Sequence, residues 1–348
     1  MAEKVGIPLD SIDQISPSAV EALRPLWITT VEELVTTAFE ETGRQGLAET
    51  LNMTPAELES MAQELLPLVP QDIQQQIGVA PRSYGLGAWD EFDADRSRSL
   101  LPGLRVPEEL PARVSLVDRM PAIRHQGTRG TCVAHACAAL REYLTEDTEV
   151  DLSEQFLYWA ARQHFITPIM KNRPGSLLLY GLKALKEYGI CPEVDWPYNP
   201  NPMPGDEAQG APSPDARERA EEYRIEKYVF LWPRDVDQLK AHLAGGYAIA
   251  FTVPTFNYWN SLMIDRTGVI RMPLAPEGTG NPIVWLESAH AMCMVGYQDD
   301  DTVPGGGYFI VRNSWGTSWA RECPDGAGYG WMPYDYLEKY GLTAFPAV

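Results

Sequence analysis

Gln126 stands six residues before Cys132, and Ser288-Ala289-His290-Ala291 and Asn313-Ser314-Trp315-Gly316 follow far downstream. For these groups to act together, a sulfur and an imidazole 158 residues apart must meet across a groove. Any fold for this chain has to close that separation.

A thiolate attacks a carbonyl carbon well only when its pKa is pulled below that of a free thiol. Gly130 and Thr131 supply a turn, and the run from Cys132 to Leu140 reads as a helix. Cys132 thus falls at a helix N-terminus, where unpaired N–H groups and the macrodipole favour an anion. His290 precedes an apolar strand. Paired with the thiolate it serves as general acid to a leaving amine and then as general base for water. His135 is the rival partner, but three residues along the same helix it leaves no room for a substrate, so His290 ranks first. Asn313 accepts the imidazole N–H and fixes its tautomer, with Trp315 shielding that bond. The Gln126 amide and the Cys132 backbone N–H are the candidate oxyanion donors.

The rest of the chain divides by pattern. Residues 1–78 read as a separate acidic bundle of three or four short helices. Thr30 with Glu33 forms a capping box, Leu34, Ala38 and Phe39 form one stripe, and Thr54-Pro55 opens a helix carrying Leu58, Met61 and Leu65. Residues 79–112 keep no period and read as an extended linker. Trp89, Phe92 and Leu100 are costly to leave in water, so part of this linker is expected on the main body, across or beside the cleft. Residues 113–348 read as dense and globular, with a proline-rich connection from Asn199 to Pro214 and a polar helix from Asp215 to Tyr223. Apolar runs at 248–253, 291–297 and 307–312 read as buried strands. Helices first and strands second make the fold class α+β.

The catalytic blocks resemble those of the papain family of cysteine proteases, and the resemblance extends over 111–348. Leu152-Ser153-Glu154-Gln155 and Pro174-Gly175-Ser176 are similar to family segments. Cys191-Pro192-Glu193-Val194-Asp195-Trp196 is similar to the wording of a bacterial, xylellain-like branch. The resemblance implies a papain-like two-lobed fold, a helical lobe and a β-barrel-like lobe, with Cys132 on one wall of the cleft and His290 and Asn313 on the other. It implies a cysteine endopeptidase working through an acyl-enzyme, with Cys132, His290, Asn313 and Gln126 catalytic. Gly175, Ser176, Ala291 and Trp315 are then the substrate-binding candidates, with an apolar residue preferred two positions before the bond. The chain also departs from the family pattern. Arg129 stands where a disulfide cysteine is usual, Val133 replaces a tryptophan, and Ser176 replaces the second substrate-binding glycine. An insertion at Arg321–Gly326 is expected to rim the cleft.

A formal charge of −20 argues against nucleic acid and anionic membrane as partners. The expected partners are a peptide or protein substrate and a protein recruited through residues 1–80, which serve as adaptor or pro-segment. Cys132, Cys137, Cys191, Cys293 and Cys323 form an odd, irregular set, and the start carries no apolar leader. Free thiols in a reducing cytoplasm are therefore expected. His290 and Cys293, three apart on a strand, point to opposite faces and no Cys-x2-Cys pair completes a site, so neither metal nor cofactor is expected. The competing reading is a peptide-binding or regulatory protein that keeps the fold without catalysis.

Overall fold

In the computed structural model of the protein, residues 4–89, 109–167, 170–274 and 285–348 are described. Phe92 and Leu100, expected to cover the main body, lie outside them.

Local capping starts the N-terminal bundle. The Thr30 hydroxyl accepts the Glu33 N–H while the Glu33 carboxylate accepts the Thr30 N–H, opening α2 (Val31–Phe39). Thr54 and Glu57 do the same for α4 (Pro55–Leu65), with proline at its first position. Together with α1 (Pro17–Leu23), α3 (Glu41–Thr50) and α5 (Gln71–Gln74) they enclose Leu23, Leu34, Ala38, Leu47, Leu58 and Leu65. Thr30→Ala should cost about 1 kcal/mol, read as a lower denaturation midpoint for the bundle, because the buried Glu33 N–H loses its acceptor.

The bundle is not free-standing. Trp27, in the left-handed conformation that ends the turn after α1, leaves it and packs in the core of the main body beside Tyr308, 6.0 Å between rings. In return Met263 of the main body enters the core of the bundle, flanked by Leu262 and Leu274. The Met272 N–H donates to the Leu26 carbonyl across the same seam at 3.1 Å. Arg266 then pairs with Asp72 of the bundle and with Glu322 of the 321–326 insertion, at 2.5 and 2.7 Å. That insertion is tied down by its acids, since Asp325 also receives Arg113 and the Trp331 indole N–H.

The main body has a helical half and a sheet half. The first contains α6 (Cys132–Tyr143), α7 (Glu154–Phe165), α8 (Leu178–Glu187) and α9 (Pro214–Ala220). The Ser153 hydroxyl caps α7 through the Phe156 N–H, which explains the serine of the Leu-Ser-Glu-Gln segment. The second half contains β2 (Ile249–Phe256), β3 (Trp285–Asp299), β4 (Gly307–Arg312), β5 (Tyr329–Pro333) and β6 (Thr343–Pro346). Their antiparallel order is β5-β4-β3-β2-β6, and β1 (Arg113–Ser115) pairs with β3 off this path. All eight residues of β2 are buried, which is why it reads as a continuous apolar run rather than an alternation. Helices α10 (Val236–Ala244), α11 (Leu262–Thr267) and α12 (Tyr334–Tyr340) complete this half. Because α6 packs on β3, the residue that starts α6 comes to the strand that carries His290.

Candidate active site

The first turn of α6 has no side-chain cap. The Thr131 hydroxyl that could have served bonds to Tyr198 at 2.6 Å instead. The N–H groups of that turn stay available to an anion or a carbonyl oxygen. Cys132 itself is fully buried, and the backbone N–H groups of Ala291, Gly87, Val133 and Ala88 act on its sulfur. Ala291 adjoins His290, so sulfur 132 reaches the strand bearing the imidazole.

On that strand, His290 Nε2 donates to Asn313 Oδ1 at 2.8 Å, an oxygen that also accepts the Ser314 N–H. This bond assigns the ring proton to Nε2 and leaves Nδ1 as the basic nitrogen. Nδ1 is buried with no hydrogen-bond partner among the described residues, so it makes no bond to Cys132 in this arrangement. The Trp315 ring lies 4.7 Å from the imidazole, and Trp259 and Trp319 meet Trp315 edge-on. Indoles thus keep water from the His290–Asn313 bond. His135 does not compete: its Nδ1 meets the Thr131 carbonyl, its other nitrogen faces Glu154 at 3.8 Å, and burial pushes its pKa down to about 3.

The protonation states are those of a closed site. Burial pushes the Cys132 thiol up to about 11, against the four N–H groups that favour the thiolate. Burial likewise pushes His290 down to about 4, with its bond to Asn313 acting the other way. The favoured pair here is thiol and neutral imidazole rather than the ion pair that the sequence suggests. Desolvation opposes each charged form and outweighs the local N–H groups.

What buries the pair is the chain's own segment 84–89. The Ser176 N–H donates to the Gly87 carbonyl at 2.8 Å and the Trp89 N–H to the Ser176 carbonyl at 3.0 Å. On the other edge Ala88 and Ala289 exchange both backbone bonds, at 3.1 and 2.9 Å. The segment is therefore an extra strand bridging the two walls. Tyr84 stacks on Trp315 with rings 4.4 Å apart and 5° from parallel, and its hydroxyl donates to Asp265. At the far end the Trp89 indole N–H donates to the Pro174 carbonyl at 2.9 Å. The Gln126 amide donates to the Gly85 carbonyl at 2.9 Å and to the Arg129 carbonyl at the same distance. A strap carbonyl therefore occupies the donor expected to receive the oxyanion.

Sequence reasoning missed what four residues contribute, namely Gly85, Gly87, Arg129 and Ser314. Gly85 and Gly87 are needed for clearance, since a Cβ there would sit 2.0 Å from the Arg129 carbonyl oxygen and 2.1 Å from that of Gly130. Gly175, at φ +103°, similarly leaves room for the Gly87 carbonyl. Arg129, read as a lost cysteine, is buried and ties the nucleophile loop to Gln155 and to the carbonyls of Asn199 and Glu207. It replaces a covalent staple with hydrogen bonds onto the proline-rich connection. Ser314 donates to Gln126 Oε1 at 2.5 Å, turning the amide N–H groups toward the cleft. The five cysteines are all buried free thiols.

Comparison with known proteins agrees with this geometry. The model of the papain family cysteine proteases matches residues 106–343. An uncharacterized peptidase C1-like protein of Acanthamoeba polyphaga mimivirus is 28% identical over 252 residues, covering 69% of this chain and 71% of its own. Peptidase 1 of the mite Dermatophagoides farinae is 26% identical over 327 residues, covering 89% of each. Among solved structures, xylellain, a cysteine protease from Xylella fastidiosa, superposes with a TM-score of 0.61 at 27% identity, over 77% of this chain and 97% of that one.

Proposed function

The chain belongs to the papain family of cysteine proteases, and from that premise we propose that it is an endopeptidase whose nucleophile is Cys132, restrained by its own residues 84–89. In this reading Cys132 Sγ bonds to the scissile carbonyl carbon, and the carbonyl oxygen gathers charge against the Gln126 amide and the N–H groups at the start of α6. His290 carries the thiol proton to the leaving amine as the C–N bond breaks. It then takes a proton from the water that splits the acyl-enzyme. Asn313 holds the ring with Nδ1 free for those transfers.

The observation that carries this reading is the seating of the strap. A strand that pairs with both Ser176 and Ala289 lies where an extended substrate backbone would pair, and it gives the Gly85 carbonyl to Gln126. A silent binding protein is the weaker reading, since no group that the chemistry requires is missing.

A peptidyl epoxide or fluoromethyl ketone tests the assignment. Wild-type protein should gain one inhibitor mass on Cys132, and Cys132→Ala should gain none. Absence of labelling throughout pH 4–8 in both folded wild-type and folded Gly87→Val protein would remove Cys132 from this role.

A further inference from the structure

A cavity of about 690 Å³ opens where the bundle, the root of the strap and the main body meet. Its walls include Phe39 and Glu40 from the bundle, Ile77 and Val79 from the strap root, and Tyr258 and Leu262 from the main body. Both its size and its place at a junction of folded units suit a small-molecule or side-chain site. The apolar wall is open to solvent at one edge, where Val79 is 64% exposed.

The charged groups decide the occupant. Asp265 is already committed to the Tyr84 hydroxyl, with Arg82 at 3.7 Å. Burial pushes the Glu40 carboxyl up to about 7. Against that burial, the Leu262 backbone and the buried Arg271 favour the charged form of Glu40, and no ion pair to it is seen among the described residues. Glu41 adds a second, exposed carboxylate at the rim. An aromatic and aliphatic wall beside an under-compensated carboxylate calls for an apolar body ending in a cation.

We propose that this junction cavity binds an apolar ammonium or guanidinium group, from a free amine or from a basic side chain of a peptide, and that its occupation holds the strap closed. The second half rests on the strap reading above and follows from linkage. The cavity exists only while residues 76–82 stand against the bundle and the main body, so a ligand touching all three favours that closed state. Two residues beyond Arg82, Tyr84 is stacked on Trp315, which places the strap's grip on the cleft next to the cavity.

The test uses the full chain and benzylamine as probe, with benzyl alcohol as its neutral counterpart and acetyl-lysine amide as the peptide-side-chain source. Calorimetry should show one saturable site for benzylamine and not for the alcohol. Glu40→Gln, which keeps an acceptor for the Leu262 N–H, should weaken binding at least about tenfold. Val79→Trp, which fills the mouth, should weaken it similarly. Comparable binding of acetyl-lysine amide identifies a peptide source, and its failure beside benzylamine identifies a free amine. Peptidase rate should fall at saturating benzylamine in the wild type and not in Glu40→Gln. No saturable binding in the millimolar range, or equal binding by Glu40→Gln and Val79→Trp, overturns the site. Binding that leaves the rate unchanged overturns its link to the strap while the site stands. Calorimetry needs no turnover, so failure of the protease assignment would register separately.

Discussion

Gly87→Val is expected to raise hydrolysis of a small peptide substrate by on the order of 10²-fold at neutral pH. A Cβ at Gly87 would fall 2.1 Å from the Gly130 carbonyl oxygen, and the two nearest other atoms are Gly130 backbone as well. The loop side cannot yield, because Arg129 pins it through Gln155, Asn199 and Glu207. The strap has to lift, and it gives up its four backbone bonds to Ser176 and Ala289, each worth about 1 kcal/mol net. Water returning to the cleft should also reverse the main cause of the raised thiol pKa. Closed, burial holds the Cys132 pKa up at about 11, so the thiol is neutral near pH 7. Opened, it should form thiolate at lower pH, so the gain should be largest near neutrality and shrink toward strongly alkaline conditions. Steady-state rates from pH 6 to 10 on both proteins check this. An unchanged rate in a folded Gly87→Val protein would mean that the strap does not limit access.

His290→Ala is the second large effect, a loss of about 10⁴-fold or more in kcat measured in the Gly87→Val background. In the proposed mechanism the ring supplies the proton to the leaving amine and later the base for water, and no other described imidazole can substitute. His135 is held by Thr131 and faces Glu154 behind the nucleophile helix. Asn313→Ala should cost less, because it frees the ring to rotate without removing it. Equal losses in the two variants would reassign His290 from proton transfer to scaffolding, and retention of most activity by His290→Ala would reject the triad.

Features carried by contiguous residues were legible in the sequence. The capping boxes at Thr30 and Thr54 each need only four neighbouring residues, and both start helices as expected. The apolar runs at 248–253, 291–297 and 307–312 mark the strands at 249–256, 285–299 and 307–312, although the second strand extends beyond its run at both ends. The pairing of His290 with Asn313 was anticipated from two motifs, although nothing local fixes their distance. Features set by what lies opposite were not legible. Gly85 and Gly87 look like loop residues until the Arg129 and Gly130 carbonyls appear beneath them. Trp27 and Met263 each look like ordinary core residues of their own unit, yet each packs in the other's core. Helical periodicity marks an apolar face without naming the surface that covers it. The neutral thiol and imidazole were likewise hidden, because motif chemistry describes an open cleft and this one is filled.

Filling the cleft also changes how the latent protein ages. Peroxide attacks thiolate, so a sulfur held protonated and shut away climbs the ladder to sulfenic and sulfinic acid only slowly. In the proposed mechanism, the strap that holds Cys132 in that state preserves a nucleophile that oxidants would otherwise spend before any substrate arrived.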